Sequence, residues 1–168
     1  MSVIRIFQQQ EKPTILEAYK EVLKHYIDKV LKKIGENDNN ITWYICKKED
    51  FPIQIKPLGL LKLEQLSGII MKPVYGCTKY DKNNKCSDIY VSTTAIQSAP
   101  FPLQEIVENL GLIHNSENLL INVILDELAH AKTFENHGSP EYDNTLEKYA
   151  YLYYGWKQLK TVGKNWKQ

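Results

Sequence analysis

The chain lacks any apolar run long enough to cross a membrane, which takes about 20 predominantly apolar residues. It also lacks the apolar N-terminal stretch of a secretory signal, because Arg5 and Gln8 to Gln10 stand where one would lie. These two absences predict an intracellular, cytoplasmic protein with no membrane partner. Charge of one sign is missing too: 21 Lys and Arg against 20 Asp and Glu leave a net charge of +1, so no global field argues for nucleic acid or an acidic partner. The exception is the segment 155–168, whose four charges are all lysines and which reads as a solvated basic tail. Cysteine is scarce. Cys46, Cys77 and Cys86 form no CxxC pair, which excludes a zinc-ribbon spacing. Cys77 and Cys86 flank an expected hairpin loop over 78–85, where a disulfide or a shared metal is conceivable; free thiols are the simpler expectation. There is no internal repeat and no low-complexity tract. What remains is 168 residues with 43% hydrophobic content, enough for one substantial core and a single domain over 1–168.

Helical spacing dominates the first part of the chain. Thr14 followed by Glu17 reads as a capping box, and Leu16, Tyr19, Leu23, Tyr26, Ile27, Val30, Leu31 and Ile34 recur at helical intervals until Gly35. After the polar loop 36–40, residues 41–47 have the β-branched and aromatic content of a strand. Residues 53–56 suit a short strand or an extended link. Residues 67–75 and 88–92 read as two strands of an antiparallel hairpin joined across 81–85. A short helix is expected over 102–110. Ser116 and Glu117 open a helix that is apolar almost all round, through Leu119, Leu120, Ile121, Val123, Ile124, Leu125 and Leu128, and such a helix belongs at the centre of a core. A last helix is expected from Pro140 to Tyr154, with Leu146, Tyr149, Ala150 and Tyr153 inward.

The central helix carries the chemistry. Residues 126–137 read Asp-Glu-Leu-Ala-His-Ala-Lys-Thr-Phe-Glu-Asn-His, the zinc-protease pattern His-Glu-x-x-His with aspartate in place of its first histidine. On a helix Asp126 and His130 project from one face, roughly 5.4 Å or one turn apart, so both can reach one metal ion. Glu127 is turned about 100° around the axis, where the pattern puts the carboxylate that takes a proton from metal-bound water. His137 supplies a third ligand only if the helix ends before it. On an unbroken helix it would lie roughly 10 Å beyond His130, too far for bonds of about 2 Å to a shared ion. Asn136 and Gly138 suit an exit through the left-handed conformation, and Ser139 with Pro140 suits the start of the next helix.

Two competing readings use the same residues. An Asp126 to His130 ion pair, four residues apart, compensates a carboxylate on a face that begins in the core at Leu119 and Val123 without any metal. Two histidines and a carboxylate also form the triad of non-haem iron oxygenases, whose β-barrel has more strands than this chain offers. Glu141 and Asp143 could orient a ligand histidine, but acidic residues in the first turn of a helix have a simpler explanation in its dipole. His25 and His114 read as incidental. The tyrosines at 149, 151, 153 and 154 read as core and wall, with the option that one donates a hydrogen bond to an oxyanion.

Leu128-Ala129-His130-Ala131, followed by His137-Gly138-Ser139-Pro140-Glu141-Tyr142-Asp143, resembles the SprT-like (Spartan-type) metalloprotease domain. The resemblance is strongest over 116–150 and weaker at Tyr75-Gly76-Cys77 and Asp88-Ile89-Tyr90-Val91-Ser92. It implies an α+β, zincin-like fold: an N-terminal helix, a small, mostly antiparallel sheet of three or four strands, the metal-motif helix and a closing helix. It implies Zn²⁺, or another divalent metal given Asp126, on Asp126, His130 and His137, with Glu127 as general base. The substrate would be a protein or peptide, with nucleic acid as a partner through the family alone. This chain departs from the family at Asp126, at Ser139, which splits the usual His-Gly-Pro-Glu wording, and in having no zinc-ribbon spacing. A carboxylate ligand gives the ion more negative charge, so a slower enzyme, or a catalytically decayed binding or regulatory module, is expected.

Overall fold

A computed structural model describes residues 2–7, 11–52, 75–99 and 116–155. In chain order these form strand β1 (Val3–Ile6), helix α1 (Pro13–Ile34), strand β2 (Ile41–Cys46), a 3₁₀ turn (Lys48–Asp50) and strand β3 (Gly76–Asp81). Strand β4 (Cys86–Ser92) and helices α2 (Thr93–Ser98), α3 (Ser116–Thr133) and α4 (Pro140–Tyr154) follow. The fold is α+β, with four helices and one mixed sheet among the described residues.

The sheet order is β1-β2-β4-β3. β1 runs parallel to β2 and β2 parallel to β4; only β3 and β4 are antiparallel. The expectation of a mostly antiparallel sheet is therefore corrected. Two of the three pairings are parallel, and parallel neighbours need a crossover connection: α1 is the crossover between β1 and β2, and the chain from 47 to 85, which includes β3, joins β2 to β4. The hairpin is also shifted. Its first strand is Gly76–Asp81 rather than 67–75, and its loop is closed by Asp81 Oδ1, which accepts from the backbone N–H groups of Asn83 and Asn84 at 2.9 and 3.2 Å. Cys77 and Cys86 then sit at different levels of the ladder, opposite Tyr90 and Asp81, and all three cysteines are free thiols.

Strand alternation sorts side chains onto two faces. Ile41, Trp43 and Ile45 of β2 and Ile89 and Val91 of β4 join the main core with the helices, whereas Cys46, Cys77 and Tyr90 form a smaller cluster with Tyr44 and Phe7 on the other face. Trp43 is fully buried, and its indole N–H is satisfied by Asp38 Oδ2 at 3.0 Å. Helix α3 lies against β3 and β4, and α1, α2 and α4 pack around it. Leu120, Ile121, Ile124, Leu125, Leu128, Ala129 and Ala131 are all buried, as expected of a helix apolar nearly all round.

Helix ends follow local chemistry. α1 begins at Pro13 after Lys12, with no side-chain cap, so the Thr14 capping box does not form: proline at the first position, φ pre-set and no N–H to satisfy, starts the helix two residues earlier. It stops at Gly35, φ +69°, a left-handed exit that costs glycine nothing. α2 was not foreseen; Ser92 caps it by accepting from Ala95 N–H at 3.1 Å. The expected elements at 53–56 and 102–110, the residues 67–74, His114 and the lysines of the tail lie outside the described residues.

Candidate metal centre

Helix α3 delivers Asp126, Glu127 and His130, and its end delivers His137. The helix stops at Thr133. Phe134 takes the left-handed conformation at φ +53°, its N–H still bonded to the His130 carbonyl at 2.9 Å. The expected exit through Asn136 is thus made two residues earlier, at Phe134, with Gly138 adopting φ +90° as anticipated. Phe134 is tolerable there because its ring rests edge-on against Tyr80 of β3, 6.2 Å between centroids. The hairpin holds this loop in two further places, Tyr80 Oη donating to Asn136 Oδ1 at 3.0 Å and Lys82 Nζ to Glu135 Oε1 at 3.4 Å. Ser139 then caps α4, accepting from Tyr142 N–H at 3.3 Å, with Pro140 in the first turn.

The turn folds His137 back over the helix. Asp126, His130 and His137 each offer one ligand atom, and these lie within 4.8 Å of one another, the one such group among the described residues. His130 Nε2 is 3.1 Å from His137 Nε2 and 3.7 Å from Asp126 Oδ1. Four ligands around zinc at about 2.0–2.2 Å sit roughly 3.3–3.6 Å from each other, so these two separations lie near that range, while the 4.8 Å span of the whole group is wider and would have to close on an ion.

The protons point the same way. His130 Nδ1 is 2.7 Å from the Glu135 carbonyl oxygen, which can only accept, so Nδ1 carries the hydrogen and Nε2 of the neutral ring carries the lone pair. Burial pushes the His130 pKa down, against the pull of the Glu135 carbonyl and Asp126, which favours the neutral ring. An Asp126 to His130 ion pair would need the proton that burial disfavours, at a distance longer than a hydrogen bond. A proton on His137 Nε2 accounts for the 3.1 Å contact alone. The Tyr142 hydroxyl supplies Asp126 Oδ1 with a donor, and the set of two imidazoles and a carboxylate is one that could hold a divalent cation.

Glu127 lies on the β3 side of the helix and is 4% exposed. Thr78 Oγ1 bonds Glu127 Oε2 at 2.5 Å and lies 3.2 Å from the Glu127 carbonyl oxygen. Burial, then the neighbouring charge of Asp126, raises the carboxyl pKa well above its ordinary value; the Thr78 bond opposes both. Strand β3 comes this close because residue 76 has no side chain: a Cβ there would meet Val123 Cγ1 at 2.7 Å, Glu127 Cγ at 2.9 Å and Glu127 Oε1 at 3.0 Å.

Tyr142 is the residue sequence reasoning missed. It is 1% exposed, its hydroxyl donates to Asp126 Oδ1, and its ring stacks on His130 at 4.2 Å between centroids and 19° between planes. It meets His137 edge-on at 4.7 Å. A signal was present, since Tyr142 extends the inward stripe Leu146, Tyr149, Tyr153 by one helical step. Glu141 and Asp143 are exposed, and Glu141 Oε2 accepts from Ser139 Oγ at 3.0 Å at the start of α4 rather than orienting a histidine. His25 lies on α1 against Tyr26, outside the cluster. No protein-family model matches the sequence, and a search of curated proteins returns no match.

Proposed function

We propose that the chain is a zinc-dependent metallopeptidase of SprT-like type on a zincin-like fold, with Asp126, His130 and His137 holding the metal and Glu127 acting as general base. One observation carries the reading: three ligand-type atoms from α3 and the loop after it converge within 4.8 Å, around a histidine whose lone pair is directed into the cluster. The order of elements supports it, with a small sheet, a central motif helix under the edge strand β3, and α4 closing over the site. When bound, zinc would supply Lewis acidity toward a substrate carbonyl and toward water.

The chain's own residues do the rest. His130 binds as a neutral imidazole oriented by the Glu135 carbonyl, the usual arrangement behind a ligating histidine. Asp126 would bring a negative charge that helps retain an ion and makes it a weaker acid than a three-histidine site would. Thr78 bonds Glu127 Oε2, and the carboxylate would take a proton from the attacking water and pass it to the leaving amine. A cation on Asp126 would offset one of the two causes that raise the Glu127 pKa. The substrate class is protein or peptide; nucleic acid enters through the resemblance alone.

A second reading, a metal-holding module without catalysis, is favoured by the burial of Glu127, whose carboxyl is 4% exposed and bonded to Thr78. Metal content by mass spectrometry, on protein purified without chelators or a histidine tag, tests both. Near one zinc per chain, lost in Asp126→Ala and in His130→Ala, supports the site. Cleavage of unfolded protein substrates that Glu127→Gln abolishes with zinc retained supports the peptidase. Zinc without cleavage supports the module, and no binding of zinc, manganese or iron(II) overturns both.

A further inference from the structure

Asp126 is the residue at which this chain departs from a histidine-rich metal motif, and the structure gives it a partner. Tyr142 touches every residue of the cluster: its hydroxyl donates to Asp126 Oδ1, its ring stacks on His130, and its edge meets His137. It is held from behind as well, since its backbone N–H is bonded to the Ser139 cap and its ring is buried. We propose that Tyr142 is the positioning residue of the metal centre, fixing the carboxylate of Asp126 as a ligand through the hydroxyl hydrogen bond. The proposal rests on the metal-binding reading above.

The chemistry explains why aspartate and tyrosine belong together. An aspartate side chain is shorter than histidine and its carboxylate turns freely, so a ligand at 126 needs something to set which oxygen faces the ion. A hydroxyl donor does that, and it draws off part of the charge the carboxylate would otherwise give the metal. A histidine at 126 could not use the same donor. An imidazole that ligates through one nitrogen carries hydrogen on the other and has no lone pair left to accept from Tyr142. Asp126 and Tyr142 are thus one unit, and the two should be energetically coupled with respect to metal.

The test is a double-mutant cycle on the full chain, with zinc affinity measured by chelator competition and the visible bands of the cobalt(II) form as a second readout. Tyr142→Phe keeps the ring and its stacking. It should weaken zinc binding by about 10–100-fold and shift the cobalt bands. In the Asp126→His background the same change should alter affinity by less than about threefold, because the acceptor is gone. Unchanged affinity and bands in Tyr142→Phe overturn the proposal. Equal losses in both backgrounds overturn it too, since the tyrosine would then act by packing. Both results leave the metal site standing, whereas a wild-type chain that binds no metal overturns the site and the proposal together.

Discussion

Gly76→Ala is the smallest change that probes how β3 and α3 hold the candidate base. Gly76 has no left-handed φ, so alanine can adopt its backbone, and in an open strand the change would stabilise by about 0.4–1 kcal/mol through the unfolded chain. Here the added Cβ would lie 2.7 Å from Val123 Cγ1 and 2.9 Å from Glu127 Cγ, well inside the roughly 3.5 Å of a carbon contact. Neither atom is the far end of a flexible chain; both sit one bond beyond Cβ on a buried helix. The strand must therefore back away, which stretches the Thr78 to Glu127 bond. Overpacking of this kind costs about 1–3 kcal/mol, so the net expectation is a loss of about 1–2 kcal/mol. At roughly 2–4 °C per kcal/mol for a chain of this size, the midpoint falls by about 2–8 °C.

Urea unfolding of the metal-free chain, followed by circular dichroism, reads this directly. Val123→Ala supplies the control, because it removes the nearest clashing atom. Alone it costs the usual price of a cavity. Combined with Gly76→Ala it should cost less than the sum by about 1 kcal/mol, as expected for side chains in contact. Gly76→Ala as stable as wild type, or costs that simply add, would refute the close approach of β3 to Glu127.

Thr78→Val deprives the buried Glu127 carboxyl of its donor and should cost about 1–3 kcal/mol in urea unfolding, most of it recovered in Thr78→Ser. Native-state alkylation at pH 8 should label the exposed Cys86 and spare Cys46, whose thiol is pushed up to about 11 by burial first and by Asp50 and Glu49 next. Because that pKa is raised in the folded state, the Cys46 contribution to stability is complete below pH 9.0 and lost as pH rises toward 11; Cys46→Val should flatten the stability profile in that window. Zinc at a hundredfold excess over its Kd adds about 2.7 kcal/mol, raising the melting temperature by roughly 5–11 °C in wild type, and the same zinc should leave His130→Ala unmoved.

The helices were legible because their signals are local. The end of α1 at Gly35, the bounds of α4 from Pro140 to Tyr154 and the central position of α3 follow from caps and apolar spacing that need no tertiary information. The sheet was harder to read. Val3-Ile4-Arg5-Ile6 has strand content, but at four residues it earns its place only by pairing with β2, a partner 39 residues away. Missing that pairing and the parallel pairing of β2 with β4 turned a mixed sheet into a mostly antiparallel one. The hairpin slipped for a similar reason: Thr78, Lys79 and Tyr80 look polar in isolation, yet Thr78 and Tyr80 face the motif helix and the loop behind it.

The candidate ligands were legible because spacing on a helix fixes direction, and because His137 requires a turn that Gly138, Ser139 and Pro140 can make. Their surroundings were not, for each acts across the chain. Gly76 matters only through the atoms it lets approach, Thr78 only through a carboxyl 49 residues on, and Tyr142 only because α4 folds back over α3. Asp126 stands where the zinc-protease pattern has its first histidine. Beside Tyr142 it is a residue with a hydrogen-bond donor facing it and two imidazoles within reach. A half-buried aspartate with neither cation nor partner carries a desolvation cost that natural substitution readily removes. The tyrosine hydroxyl meets part of that cost, and a metal ion on the remaining lone pairs would meet the rest.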